Sequence, residues 1–489
     1  MISRKISFAL ALLLVVSAVA GCGGQTGNAD ETTTDAGTTD ESTTIEETTN
    51  YLDTRERQDY DGYEFRIIAQ SYDQRPNLPL SEEETGEVLN DSILRRDRAT
   101  EDYLNIRIVN NPYNDREEVA RIIKTTVMSD EDAYDLVINS VNIGLNTNIL
   151  GGHLYDLSAL DKIDMSQPWW CQSVYGDFQV DGHYYFTSGC VSPFFFYMPG
   201  CIAYNQTVAE RFGVTGLEQL VRDGKWTFDK LKEFTLGKAV DLDGDAEMTE
   251  NDLWPLTGNP GSDLVAGFGE RMILRGDNGE IIFNMGSESY VNAAQVVCDY
   301  LSRSNTAGVW TDTNITLNLF QTDRAMFFTT SMNNLITGYN ALPSCREMKS
   351  DYGVLPLPKY DESQDGYFTF GNPAGPSGVA VPKTIRDPEK IGTIIDTLAY
   401  FSDQYIRYAA YDCILKGKTA RIEGSDEMLD IIYKYVYFDM NSVFNFGSTW
   451  DILFKAVGNN CETYVSDLAK AESRTEKAIN KFIAAVTTE

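Results

Sequence analysis

The sequence predicts an α/β fold, and three observations predict it. From Tyr63 onward strand-like and helix-like segments alternate, beginning with Tyr63–Gln70, Val88–Leu104 and Ile106–Val109. The helical segments carry apolar residues at three- and four-residue spacing, whereas the strand-like ones are short apolar runs bounded by polar turns. A chain of 489 residues with 42% hydrophobic content can bury at least one large core, which excludes global disorder.

The elements follow in order. Residues 1–21 hold Arg4 and Lys5, an apolar run from Ile6 to Val16 and small residues up to Gly21, the pattern of a signal peptide. The run is short for a bilayer span, and no other stretch approaches the roughly 18–20 apolar residues that a spanning helix needs. Val19-Ala20-Gly21-Cys22 resembles the lipobox of bacterial lipoproteins, which implies that Cys22 is lipidated and that the chain is anchored at the extracellular face of the cell membrane. Residues 22–58 are rich in Gly, Thr, Ser, Asp and Glu, with no Lys or Arg between Lys5 and Arg55. Such a segment buries too little apolar surface to offset its ordering entropy, so it reads as an extended acidic tether.

The body then opens with the strand Tyr63–Gln70, the helix Val88–Leu104, the strand Ile106–Val109, the helix Arg116–Met128 and the strand Tyr134–Asn139. Further helices are expected at Glu288–Arg303, Pro388–Gln404, Asp426–Tyr437 and Val465–Val486, with a strand beginning at Gly378. Ligands of open α/β sheets sit beyond the carboxyl ends of strands, so the loops after Gln70 and Asn139 are candidate ligand loops.

Composition limits the function. Lys plus Arg total 40 against 73 Asp plus Glu, a formal charge of −33, which repels phosphate backbones; nucleic acid is not an expected partner. Two histidines leave little room for a His-rich zinc site. Of the eight cysteines, Cys171, Cys190 and Cys201 are near enough in sequence for a disulfide, while Cys298, Cys413 and Cys461 read as core residues.

Several segments together resemble the sugar-type extracellular solute-binding proteins of ABC importers. They are Ile202-Ala203-Tyr204-Asn205 leading to Glu210-Arg211-Phe212-Gly213-Val214, Lys225-Trp226-Thr227-Phe228-Asp229, Phe320 to Phe327, and Asp351-Tyr352-Gly353-Val354-Leu355-Pro356-Leu357-Pro358-Lys359. Asp323 stands where the family usually has Gly. The resemblance implies a two-lobe periplasmic-binding-protein-like fold, with a hinge and an interlobe cleft. Lobe I would comprise residues 59–197 plus 372–422, and lobe II residues 198–371 plus 423–489. It further implies a monomeric, non-enzymatic component that captures a sugar or oligosaccharide and delivers it to the permease subunits in the membrane.

A sugar needs aromatic rings for its C–H faces and polar side chains for its hydroxyls. Trp450 matches a position where the family often places a stacking aromatic, and Ser331, beside Met332, one where it commonly uses a Trp. Gln70 and Ser71 follow the first strand, and Asn139 and Asn142 the third; an amide can donate and accept at once. Trp254, Asn259 and Ser262 fall in a region similar to the second lobe's contact loop. At least one of Trp169 and Trp170 is expected to be structural.

Asp241 to Asp252 supply oxygens at calcium-loop spacing, with Asp241, Asp243, Asp245, Glu247 and Asp252 the candidate ligands. Ala246 replaces the usual turn Gly and Asp252 the usual Glu, so a structural Ca²⁺ would be weakly held; no cofactor is required. Two rival functions remain, a secreted glycoside hydrolase, for which two carboxylates suffice, and a surface calcium-binding structural protein. Nothing matches GxSxG, HExxH or a Walker loop.

Overall fold

In the computed structural model of the protein, Tyr63–Gln70 forms a strand whose Phe65, Ile67, Ile68 and Ala69 are all fully buried. A strand apolar on both faces belongs in the middle of a covered sheet, and its neighbours put it there. The structure describes residues 50–71, 80–276, 278–303, 307–309, 312–338, 342–419, 422–457 and 461–487. The leader, Cys22 and most of the tether lie outside the described residues.

In chain order the strands are β1 (Tyr63–Gln70), β2 (Ile106–Tyr113), β3 (Leu136–Asn139), β4 (Thr187–Ser188), β5 (Gly200–Asn205), β6 (Trp254–Gly258) and β7 (Ile273–Arg275). They continue with β8 (Ile281–Phe283), β9 (Gly308–Val309), β10 (Ala325–Ser331), β11 (Tyr352–Leu355), β12 (Thr369–Phe370), β13 (Gly378–Ala380) and β14 (Val436–Tyr437). Two five-stranded mixed sheets organise the body, one in the order β2-β1-β3-β13-β4 and one in the order β11-β5-β10-β6-β9. In the first, β1 runs parallel to β2 and β3, and β13 pairs antiparallel with β3 and β4. In the second, β10 is parallel to β6 and antiparallel to β5.

The chain passes between the sheets through 189–199 and returns through 356–377. The two passages bond to each other where the Asn372 N–H donates to the Met198 carbonyl at 3.0 Å and Pro199 bridges Gly371. The last helix, Tyr464–Thr487, joins the two cores: Tyr464, Leu468 and Ala471 pack with the second sheet's apolar cluster, and Ile479, Phe482 and Val486 with the first's.

Local chemistry explains the boundaries. Asp115 caps Arg116–Met128 by accepting the Glu117 and Glu118 N–H groups, and Asn105, at φ 50°, ends Val88–Leu104 in the left-handed region. Helix Glu288–Leu301 starts at Ser287, which accepts the Tyr290 N–H, and Pro388–Ser402 starts at Asp387 with Pro388 in its first turn. β2 runs four residues past Val109, its Asn-Asn-Pro-Tyr sequence held in register against Ile67 to Gln70 of β1, and Pro112 is tolerated there because β2 is an edge strand.

Pairing of the cysteines differs from the expectation. The disulfide joins Cys298 on helix Glu288–Leu301 to Cys461 just before the last helix, whereas Cys171, Cys190 and Cys201 are buried thiols. Proximity in sequence does not decide the pair; docking of two helices 163 residues apart does, bringing the Cα atoms to 5.9 Å. Asp323 has φ 58°, which explains why a glycine suits that turn. Its carboxylate accepts the Asn205 amide at 2.7 Å and the Ser350 hydroxyl at 2.9 Å, bonds a glycine could not make.

Candidate functional site

A cavity of about 390 Å³ opens at the carboxyl ends of the parallel strands β6 and β10. This is where an open α/β sheet presents loops rather than paired backbone. β6 ends at Gly258, whose φ is 110° and where a Cβ would lie 2.1 Å from the Thr329 carbonyl of β10, so only glycine fits. The chain then turns through Asn259 into helix Pro260–Gly267, which brings Ser262 and Asp263 to the cavity wall. The end of β10 adds Thr329, Thr330 and Ser331, and the start of helix Thr313–Gln321 adds Thr313 and Thr316.

The apolar side is aromatic. Trp450, half-buried, stands 5.4 Å from Phe370, with the rings inclined at 41°. Trp450 is presented by a turn in which Asn445, Gly447 and Ser448 all have positive φ. The fully buried Asn441 holds that turn, accepting the Phe446 N–H at 2.9 Å and donating to the Thr449 hydroxyl at 2.9 Å. The wall thus offers ring faces on one side and hydroxyls, amides and carboxyls on the other, the pairing of surfaces that a polyhydroxylated ring requires.

Electrostatically the cavity is acidic. Asp263 is half-buried, and burial pushes its carboxyl up to about 7, with a hydrogen bond from the Thr329 side chain pulling the other way. Asp451 lines the same cavity.

Four of the residues read from the sequence line this cavity: Trp450, Asn259, Ser262 and Ser331. Neither Asn259 nor Ser331 spends its side chain on capping the helix it precedes. The others are placed elsewhere. Gln70, Asn139 and Asn142 do meet at the carboxyl ends of β1 and β3, but around Ser140 rather than the cavity. The Ser140 N–H donates to both the Gln70 and Asn139 side-chain oxygens, and its hydroxyl donates to Asn142 at 3.0 Å. The Asn139 amide donates to the Arg116 carbonyl at 3.0 Å. Ser71 is buried, its N–H donating to the Tyr113 carbonyl at 2.7 Å. Trp254 begins β6 rather than ending it, about 13 Å along the strand from Gly258. Its buried indole donates to the Thr249 carbonyl at 2.8 Å, so it anchors the acidic loop. Met332 is fully buried core, as are Trp169 and Trp170.

Asp263, Phe370 and Asn372 were missed. The run Gly258-Asn259-Pro260-Gly261 and the run Gly371-Asn372-Pro373 are turn signals directly after apolar strands, and would have pointed to them.

In the acidic loop, carboxylate oxygens of Asp241, Asp243 and Asp252 all lie within 4.8 Å of one another, whereas Asp245 and Glu247 stand outside that cluster. The turn at position six is left-handed, Ala246 at φ 68°, and the Asp241 carboxylate accepts the Gly244 and Ala246 N–H groups. Bonds from the Thr249 and Leu242 N–H groups hold Asp252 below the usual carboxylate range. At Asp243 the Asp245 N–H pulls the carboxyl down, but desolvation and repulsion from Asp245, Asp252 and Asp241 outweigh it and the net shift is upward. Carboxylates that repel one another in this way are what a hard cation would relieve.

Taken together, two α/β sheets linked by bonded crossing segments, with a polar and aromatic cavity at strand ends, define the two-lobe fold class of solute-binding proteins. The chain has the fold of the sugar-binding proteins of ABC importers. An ABC substrate-binding protein from Listeria monocytogenes in complex with cycloalternan superposes at a TM-score of 0.54 and 13% identity, covering 86% of this chain and 100% of its own. A cyclo/maltodextrin-binding protein complexed with maltotetraose matches at 0.54 and 13%, covering 87% and 97%. A sugar transporter from Rhizobium etli in an open conformation matches at 0.55 and 12%, covering 88% and 100%. No family model matches the sequence, and no curated protein matches it.

Proposed function

We propose that the chain is the extracellular substrate-binding component of an ABC importer, capturing a sugar or oligosaccharide between two lobes and delivering it unaltered to the permease. The observation that carries this reading is the cavity itself, with the Trp450 and Phe370 rings facing a wall of hydroxyls and amides at the ends of β6 and β10. The complexes of similarly folded proteins with cycloalternan and maltotetraose support it.

Most of the wall comes from elements of the second sheet's half, with Met198, Phe370 and Asn372 on the crossing segments. Ligand binding would therefore begin on one lobe and draw the other over it, shifting an open form toward a closed one that the permease recognises. Titrating intrinsic Trp fluorescence with maltooligosaccharides and other oligosaccharides tests this; a saturable change without release of reducing ends is expected. The cavity holds two carboxyls, Asp263 and Asp451, so steady release of reducing ends would instead establish a glycoside hydrolase.

The anchoring and metal readings belong to the same proposal. Cys22 would carry the lipid that leashes a monomer to the outer face of the membrane; incorporation of labelled fatty acid that Cys22→Ala abolishes would support it. Among the described residues no helix is long and apolar enough to cross a membrane. The Asp241, Asp243 and Asp252 carboxylates would hold a structural Ca²⁺, a reading supported by their convergence.

A further inference from the structure

We propose that the cavity is a charge filter, in which Asp263, with Asp451, admits uncharged saccharides and turns away sugar acids and phosphorylated sugars. The proposal rests on the saccharide-binding reading above and adds a specificity rule to it. Among the described residues that line the cavity, Asp263 and Asp451 are the ionisable ones, and no Lys, Arg or His is present. A neutral hydroxyl can donate to either carboxylate or accept from a protonated one, whereas an anionic group would meet like charge with no counter-charge in the wall.

The surroundings of Asp263 leave its charge uncompensated. Of the elements that line the cavity with helix Pro260–Gly267, the strands β10 and β12 and the helix Thr313–Gln321 contain no ionisable side chain. Helix Glu288–Leu301 contributes no residue to the cavity wall. Before helix Ile452–Val457, Asp451 is 3.7 Å from the exposed Lys455, which offsets part of its charge, so Asp263 carries most of the filter. On β5 the buried Cys201 thiol is pushed up by burial first and by Asp263 next, so it stays a neutral thiol and adds no charge of either sign. Burial pushes Asp263 up to about 7, and the filter should therefore strengthen as pH rises through neutrality and its carboxylate forms.

The test uses calorimetry on the full chain, with a neutral oligosaccharide that binds and its counterpart carrying one uronic acid, at about pH 5.5 and about pH 8.5, both well above the ordinary carboxylate range. The counterpart is expected to bind at least about tenfold more weakly at the higher pH, with the deficit shrinking at the lower. Asp263→Asn should recover most of that deficit and flatten its pH dependence. Should that variant fold poorly, the wild-type pH dependence decides alone. Equal affinity for the two ligands at the higher pH, or a deficit independent of pH, overturns the filter while leaving saccharide binding in place. Binding of no neutral saccharide at all overturns the underlying reading, and the filter with it.

Discussion

The Trp450 and Phe370 rings meet at 5.4 Å and 41°, one carried by a tight turn before helix Ile452–Val457 and the other by β12 on the return crossing. The pair places an aromatic floor where the second sheet's elements reach the passage between the sheets. Replacing Trp450 by Ala should weaken oligosaccharide binding about tenfold or more, since an aromatic partner contributes roughly 0.5–1.5 kcal/mol beyond its buried area. The ring is half-buried, so the melting temperature should move little. Fluorescence titration and a thermal melt of the same variant separate the two effects.

Trp254 should behave in the opposite way. Its indole is spent on the Thr249 carbonyl, so Trp254→Phe is expected to cost about 1 kcal/mol of stability and leave ligand affinity unchanged. A urea denaturation curve beside a ligand titration checks both halves; a large loss of affinity would return Trp254 to the site.

Reduction of the disulfide should be costly. Cys298 and Cys461 close a loop of 163 residues, and losing such a link lowers stability by about 2–5 kcal/mol. The Cys298→Ala, Cys461→Ala double variant should therefore melt lower than the parent, and added reductant should move only the parent. Cys171→Ser, at a thiol outside any disulfide, should leave the reductant response intact.

Asp439 offers a pH signature separate from the ligand site. It is buried and accepts the Met272 and Ile273 N–H groups, and burial pushes its carboxyl up to about 6 against the pull of those bonds and that from Asn441. The folded state then holds the proton more tightly than the unfolded one. Its stabilising contribution is complete below about pH 4 and is lost as pH rises through about 6. Asp439→Asn keeps an oxygen for the Met272 and Ile273 donors, at the cost of the Asn441 bond to the other oxygen, and should flatten this limb in denaturation curves collected across that range.

Calcium is expected to raise the melting temperature by relieving repulsion among Asp241, Asp243 and Asp252. Asp243→Asn should remove that response while leaving the metal-free protein folded, as Asp243 is exposed. A thermal melt with Ca²⁺ and with a chelator reads this directly; identical melts would leave the loop an acidic turn.

Much of the secondary structure was legible because it is local. Val88–Leu104, Arg116–Met128 and Tyr63–Gln70 begin and end in the structure where their periodicity and flanking residues place them. The glycine replacements were legible as departures, and their meaning came only with backbone angles: Asp323 and Ala246 both sit at positive φ. Site residues were harder. Gln70 and Asn139 stand at strand ends as a sheet rule predicts, yet their side-chain oxygens accept the Ser140 N–H, since a buried amide takes whichever donor packing brings nearest.

What the sequence determined by itself is what depends on near neighbours: the order of strands and helices, their caps and an acidic balance that repels phosphate backbones. What the tertiary structure alone decided is which distant groups meet. Cys298 finds Cys461, Trp450 finds Phe370, and Asp263 enters a cavity whose described lining holds no cationic side chain, because docking of elements far apart in the chain sets those distances. Periodicity reports which face of an element is buried, and is silent about the partner that buries it.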